Sequence, residues 1–511
     1  MRTLLALTLG SAASVASAQQ EGAPLSAIDW LSESVETMGL AQPLPLEPPP
    51  ASAIAVSPIE VTPLDAPSAD SVGLLSSAQS GLPRSLWAAS DPATLSRLVT
   101  AQPVEALPAM QGLLQTLLLA EADPPLGSGP NARFFLARVD KLLDIGALEP
   151  AQALLDGVPE PDPRTFRRLF DVALLNGTED SACRILLETP DLAPTIEARV
   201  FCLARSGDWP AAALTLNSGR AIGDLTAEED DLLARFLDPD LAEISDPLPR
   251  PARPTPLTFR LYEAIGEALD TTDLPRAFVA ADLRATNGWR PQLAAAERLI
   301  QAGAIAPNRF FGTYQSRRPA ASGGVWDRVA AFQAFEKALK EEDADAIAQT
   351  LPPAWEAMGE IGASFAFARQ YGAPLSEVGL TGPAADIAGE IALLGTDYEL
   401  AVRPGGAAAA ADPFLQAIAR GRLSDVNTPT DPLARAIADA FSGSAAPAEL
   451  TQLADAGKLG EALLHTISLM EDGRTGDPQK VTDGLATLLY VGLEDIARQS
   501  ALQLLILRQP V

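Results

Sequence analysis

The stretch LARSGDWPAAALTL, Leu203 to Leu216, decides how the chain is read. Gly207 ends one apolar helical segment, and Trp209 and Ala212 open the next. Glycine takes the left-handed conformation that closes a helix. A bulky residue two positions on is expected to plug the seam between helices, and an alanine five positions on lets the second helix approach closely. The same grammar recurs in LLDIGALEPAQALL around Gly146, Leu148 and Ala151, and in ADAGKLGEALL around Gly457, Leu459 and Ala462. Gly177 with Ala182 and Gly492 with Ala497 keep the glycine and alanine only.

The spacing carries more weight than the matches, because alanine is abundant. Gly146, Gly177 and Gly207 lie 31 and 30 residues apart, and Gly421, Gly457 and Gly492 lie 36 and 35 apart. Two helices of three to four turns with two loops fill such a period. Aromatic residues are 5% of the chain, and alanine and leucine dominate its apolar set. That composition suits packed helices better than sheets. The expected fold class is all-α: an α-solenoid of antiparallel helical hairpins.

Proline divides the chain. Ala41 to Pro67 holds eight prolines in 27 residues and reads as an extended tether. Ahead of it, Ser26–Met38 is expected to form a short amphipathic helix with Ile28, Leu31 and Val35 near one face. The first residues, MRTLLALTLGSAASVASAQQ, combine Arg2, an apolar run from Leu4 to Leu9 and a small-x-small exit at Ala16-Ser17-Ala18. That order is a secretory signal peptide's. The expected organisation is a signal peptide at 1–18, a Pro-rich, mostly disordered tether at 19–85, and a helical block at 86–245. A proline linker at 246–256 and a second block at 257–511 complete it. No later apolar run has the roughly 20 residues a membrane helix needs. The expected location is the periplasm or the exterior.

Cys183 and Cys202 are the only cysteines. They admit three readings: a staple, two buried thiols, or a redox or metal pair. Export favours a disulfide. Asp180 to Thr189 and Pro194 to Arg205 read as two helices, with the cysteines equally far from the turn between them, so they reach the same height. No C-x-x-C spacing supports a redox role.

The turn LARSGDWPAAALTL, with GALEPAQALL and GKLGEALL, resembles the turn between the two helices of a tetratricopeptide repeat. The repeat's wider pattern of aromatic and proline positions is missing. The exported, proline-tethered helical chain also resembles a family of exported bacterial all-helical proteins, some labelled antifreeze glycopeptide polyprotein. This second resemblance rests on RRPAASGGVWDRVAAFQ, Arg317 to Gln333, and on the cysteine pair. The Thr-Ala-Ala repeat that such a label describes does not occur here.

The formal net charge is −29, which repels nucleic acid and anionic membrane surfaces. The acidic stretch Thr226–Asp246 lacks the order of a calcium loop and reads as a solvated helix start with a Thr226–Glu229 capping box. A single histidine, His465, lies off the apolar face of its segment and reads as a surface residue. One histidine and two cysteines cannot assemble a tetrahedral zinc site. The G-x-S-x-G, S-x-x-K, Walker and dinucleotide motifs are absent. No cofactor and no metal is therefore expected. Carboxylate-only catalysis stays open, because 66 acidic residues offer no means of choosing two.

One segment carries binding chemistry. In SRRPAASGGVWDR, Arg317, Arg318 and Arg328 stand beside Trp326 in a glycine-containing loop. Arginine with tryptophan suits carboxylates or sugars. The competing reading is a long inter-helix loop whose tryptophan plugs the next hairpin. Together these features point to a non-catalytic interaction scaffold or envelope assembly factor that binds an envelope protein or peptide. The alternative is a protein that binds or processes peptidoglycan.

Overall fold

Gly207 takes φ 87°, and the next amide, that of Asp208, donates to the Leu203 carbonyl at 2.9 Å. The same closure recurs. Ala147 donates to Leu142 at 2.8 Å, Thr178 to Ala173 at 2.9 Å, Lys458 to Leu453 at 2.9 Å and Leu493 to Leu488 at 2.8 Å. In each case the glycine just before the donor has positive φ, which satisfies a helix end that a β-carbon would strain. The alanines five positions after these glycines, Ala151, Ala182, Ala212, Ala462 and Ala497, are all wholly buried. The bulky position behaves unevenly. Leu148 is buried, but Trp209 is half exposed, with the Phe236 ring against its indole at 6.4 Å.

The computed structural model describes residues 68–423, 426–427 and 429–508. The signal peptide, the Ser26–Met38 segment and the tether up to residue 67 lie outside them. The described residues form 26 α-helices and no β-strand, so the chain is all-α. Sequential helices pack in pairs. Examples are Ile196–Arg205 with Trp209–Ile222, Val325–Lys340 with Ala344–Glu360, and Leu459–Thr475 with Pro478–Tyr490.

Residues 68–85, placed with the tether on sequence grounds, pack on the helical body. Asp70 is buried there and accepts from the Phe135 amide at 2.7 Å and the Ser128 hydroxyl at 2.6 Å. A polar anchor of this kind leaves no apolar periodicity to read. The larger apolar core runs from Leu82 to Leu504 and takes residues from both sides of the 246–256 segment. That segment is itself held: Tyr262 donates to the Pro249 carbonyl at 2.6 Å, and the Leu248 amide donates to Glu267 at 2.8 Å. A second core lies within residues 289–394 and concentrates the aromatics Phe310, Phe311, Tyr314, Phe332, Phe367 and Tyr371.

One helix joins distant parts of the chain. Pro108–Leu119 starts after Leu107, whose side chain cannot cap it. The Leu107 amide donates instead to Glu471 and the Ala109 amide to Gln503, both at 2.7 Å. Further along, Gln111 donates to the Gln301 carbonyl at 2.8 Å and Gln115 to the Gly303 carbonyl at 2.7 Å. Nearby, the buried indole of Trp87 fills the space over Gly460, where a β-carbon would lie 2.0 Å from the ring.

Helices Arg133–Ile145 and Pro163–Asn176 are buried almost all round, charges included. Arg168 grips Asp140 with two bonds, at 2.7 and 2.9 Å, and Arg167 pairs with Asp171 at 2.7 Å. Arg138 donates to the carbonyls of Leu118, Ala120, Asp70 and Val72, and burial pulls its pKa down to about 10 against the opposing pull of Asp70. Removing one partner of such a pair strands the other charge in the core. Asp140→Ala is expected to cost about 3–5 kcal/mol in urea unfolding. Asp140→Asn, which keeps a hydrogen-bonding group beside Arg168, should cost less.

Candidate functional site

A cleft of about 350 Å³ opens where the two cores meet. Its walls come from the Gly146 turn and helix Leu148–Asp156, from Asn176 and Thr178, from Ala280–Arg284, and from Ala304 to Arg309. Gly146 shapes this seam. Its positive φ brings the turn so close to Leu299 and Arg276 that a β-carbon would lie 2.7 Å from the leucine methyl. Glu149 and Arg309 form an ion pair that bridges the two walls, with both side chains open to solvent. Gln152 donates from Nε2 to Asp156 at 2.9 Å. Its Oε1 is buried and has no donor among the described residues. Arg284 is anchored by the Ala281 carbonyl at 2.8 Å and by Glu263 at 2.9 Å. The cleft thus combines two carboxylates, two guanidiniums, two amides and a hydroxyl.

Helix Pro307–Gln315, which carries Arg309, leads directly into the arginine loop. Gln333 holds that loop by donating to the carbonyls of Tyr314 at 2.7 Å and Arg317 at 2.6 Å. Asp327 accepts from the Gly323 amide at 2.9 Å. The four residues singled out in the sequence fall into two pairs. Trp326 is half-buried against Trp289, with ring centres 5.2 Å apart. Arg328 clamps Glu297 at 2.9 and 2.7 Å, and Glu297 also accepts from the Tyr314 hydroxyl at 2.6 Å. Arg317 and Arg318 are exposed, and neither guanidinium has an acidic partner among the described residues.

Cys183 and Cys202 meet, with sulfurs 1.99 Å apart, and join helix Glu179–Glu188 to Ile196–Arg205. His465 is exposed. No helix among the described residues is long and apolar enough to cross a membrane. The cleft residues Gln152, Asp156 and Arg309 carry no sequence signal beyond their closeness to the Gly146 turn and to a helix-opening proline. The chain matches no protein-family model, no curated protein and no solved structure.

Burial, with the Glu297 carboxylate beside it, pushes the Tyr314 hydroxyl well above the usual phenol range. Burial and Glu336 act alike on Tyr371, and burial and Asp495 on Tyr398. Each keeps its proton longer in the folded chain than in the unfolded one, where tyrosine ionises near pH ~10. Their contribution to stability is complete below that pH and is lost as pH rises toward the folded values. In an alkaline absorbance titration, phenolate from these three tyrosines should therefore appear only together with loss of helical circular dichroism.

Proposed function

We propose that the chain is an exported, non-catalytic interaction scaffold of the bacterial envelope that binds an envelope protein or peptide through a largely apolar helix face. The observation that carries this reading is the outer side of helix Trp209–Ile222. Trp209, Leu214 and Ile222 are 48%, 68% and 73% exposed. The residues exposed between them, Pro210, Ala213, Asn217, Ser218 and Ala221, carry no charge, and the one exposed charge there, Arg220, is paired with Asp230. On a protein of net charge −29, such a strip is a departure from the surrounding surface. Leu214 and Ile222 share one face of the helix, about 80° apart at 3.6 residues per turn, and apolar side chains grouped in this way mark interaction surfaces.

The neighbouring architecture supports the same reading. The buried side of this helix, Ala212, Leu216 and Gly219, packs toward Ile196–Arg205, the helix that the disulfide joins to Glu179–Glu188. A platform stapled in this way presents its outer helix with little ordering left to do on binding. The disulfide also suits the oxidising compartment to which the Met1–Ala18 signal would send the chain. Glycine turns at 30- to 36-residue spacing are consistent with solenoid-like hairpins, whose surfaces bind peptides and proteins. Peptidoglycan is the second reading, and the observation behind it is that Arg317 and Arg318, suited to its peptide carboxylates, are exposed with no acidic partner among the described residues.

Capture from envelope extract with the intact protein tests the first reading. Leu214→Glu places a charge in the strip and, at an exposed site, should leave thermal unfolding unchanged. The native chain should retain a specific partner and the variant should lose it. Recovery of the same proteins by both, or of none by either, contradicts the proposal. Sedimentation with purified peptidoglycan that R317E/R318E abolishes would favour the second reading.

A further inference from the structure

We infer that the cleft beside Gly146 binds a small zwitterion: a free amino acid or a dipeptide carrying both its ammonium and its carboxylate. This inference is independent of the surface on helix Trp209–Ile222. The cleft's volume, about 350 Å³, lies within the usual range of small-ligand pockets and accommodates a ligand of one or two residues. Its position between two separately packed cores is also where such pockets form.

The charges select the ligand. Glu149 and Asp156 stand on the wall formed by helix Leu148–Asp156, and Arg284 and Arg309 on the facing segments. A simple anion entering the cleft would meet two carboxylates, and a simple cation two guanidiniums. A neutral sugar would engage none of these charges and would leave Asp156 without a cation. A zwitterion matches both walls at once.

The existing bonds show how it would be held. Glu149 and Arg309 currently satisfy each other, and exposed pairs of this kind hold weakly. A ligand inserted between them exchanges that single pair for two: its carboxylate on the Arg309 guanidinium, whose fork suits a carboxylate, and its ammonium on Glu149. Asp156 has no cationic partner among the described residues and accepts only from Gln152. The Gln152 Oε1 atom is a buried acceptor without a donor, an arrangement that folded proteins seldom leave uncompensated. An ammonium has three N–H donors; Glu149 accepts one, and the Gln152 oxygen, one turn along the same helix, accepts another once its side chain turns into the cleft. Arg284, fixed by Ala281 and Glu263, supplies positive potential behind the carboxylate without having to move.

Isothermal titration calorimetry on the full-length protein decides the matter, with L-alanine and L-alanyl-L-alanine as probes and N-acetyl-alanyl-alanine amide as the uncharged control. One or both zwitterions should bind with a saturable heat, and the capped control should not. Arg309→Ala and Gln152→Leu should each weaken binding about tenfold or more, with ligand-free melting unchanged. The inference is overturned if neither zwitterion binds at millimolar concentration. It is equally overturned if the capped control binds as tightly, or if both variants bind like the native chain. None of these outcomes would bear on partner capture through Leu214, so the two proposals fail separately.

Discussion

The first amides of helix Pro108–Leu119 need acceptors that their own neighbourhood does not contain. An α-helix leaves its leading N–H groups unpaired, and a serine, threonine, aspartate or asparagine usually stands ready to receive one. Here Leu107 occupies that place and is buried. A buried donor without a partner is costly, so the fold brings Glu471 and Gln503 to this helix from near the other end of the chain. Arg474 in turn holds Glu471 at 2.8 Å. Through Gln111 and Gln115 the same helix also grips the carbonyls of Gln301 and Gly303, just ahead of Ala304 and Ile305 in the cleft wall. One helix therefore fixes the C-terminal helices and one wall of the cleft.

The local half of this architecture is legible in the sequence. Gly146, Gly177, Gly207, Gly457 and Gly492 announce their turns, and the alanine five positions after each lies in the core. The two cysteines announce their pairing by their equal distance from a proline-marked turn. The non-local half is not legible. Glu471 and Gln503 look like ordinary polar residues of helical segments, and nothing nearby in the chain points to Leu107 or Ala109. Helical periodicity also misplaces Arg138, Asp140, Lys141 and Arg168, which a charge-outward rule would put in water. They are buried because each finds a partner there, as Lys141 does in Asp144 and the Gln102 carbonyl.

The candidate binding chemistry shows the same division. Arginine and tryptophan in SRRPAASGGVWDR carry a composition signal, but composition does not separate a side chain that binds from one that packs. Glu297 claims Arg328 and Trp289 covers Trp326, which leaves Arg317 and Arg318 to solvent. Conversely, the cleft draws its charges from segments more than a hundred residues apart, so Glu149 and Arg309 become a pair only after folding. Outward features such as the largely apolar strip on helix Trp209–Ile222 depend on local burial alone. The cleft depends on how the two cores are set against each other, and so on helix Pro108–Leu119.

Native-state hydrogen exchange at the Leu107 and Ala109 amides tests this dependence most directly. If Glu471 and Gln503 close the chain onto this helix, both amides should exchange only through global unfolding, with the same free energy as the core of helix Arg133–Ile145. Exchange as fast as that of a solvent-exposed helix start, while the core stays protected, would contradict the account.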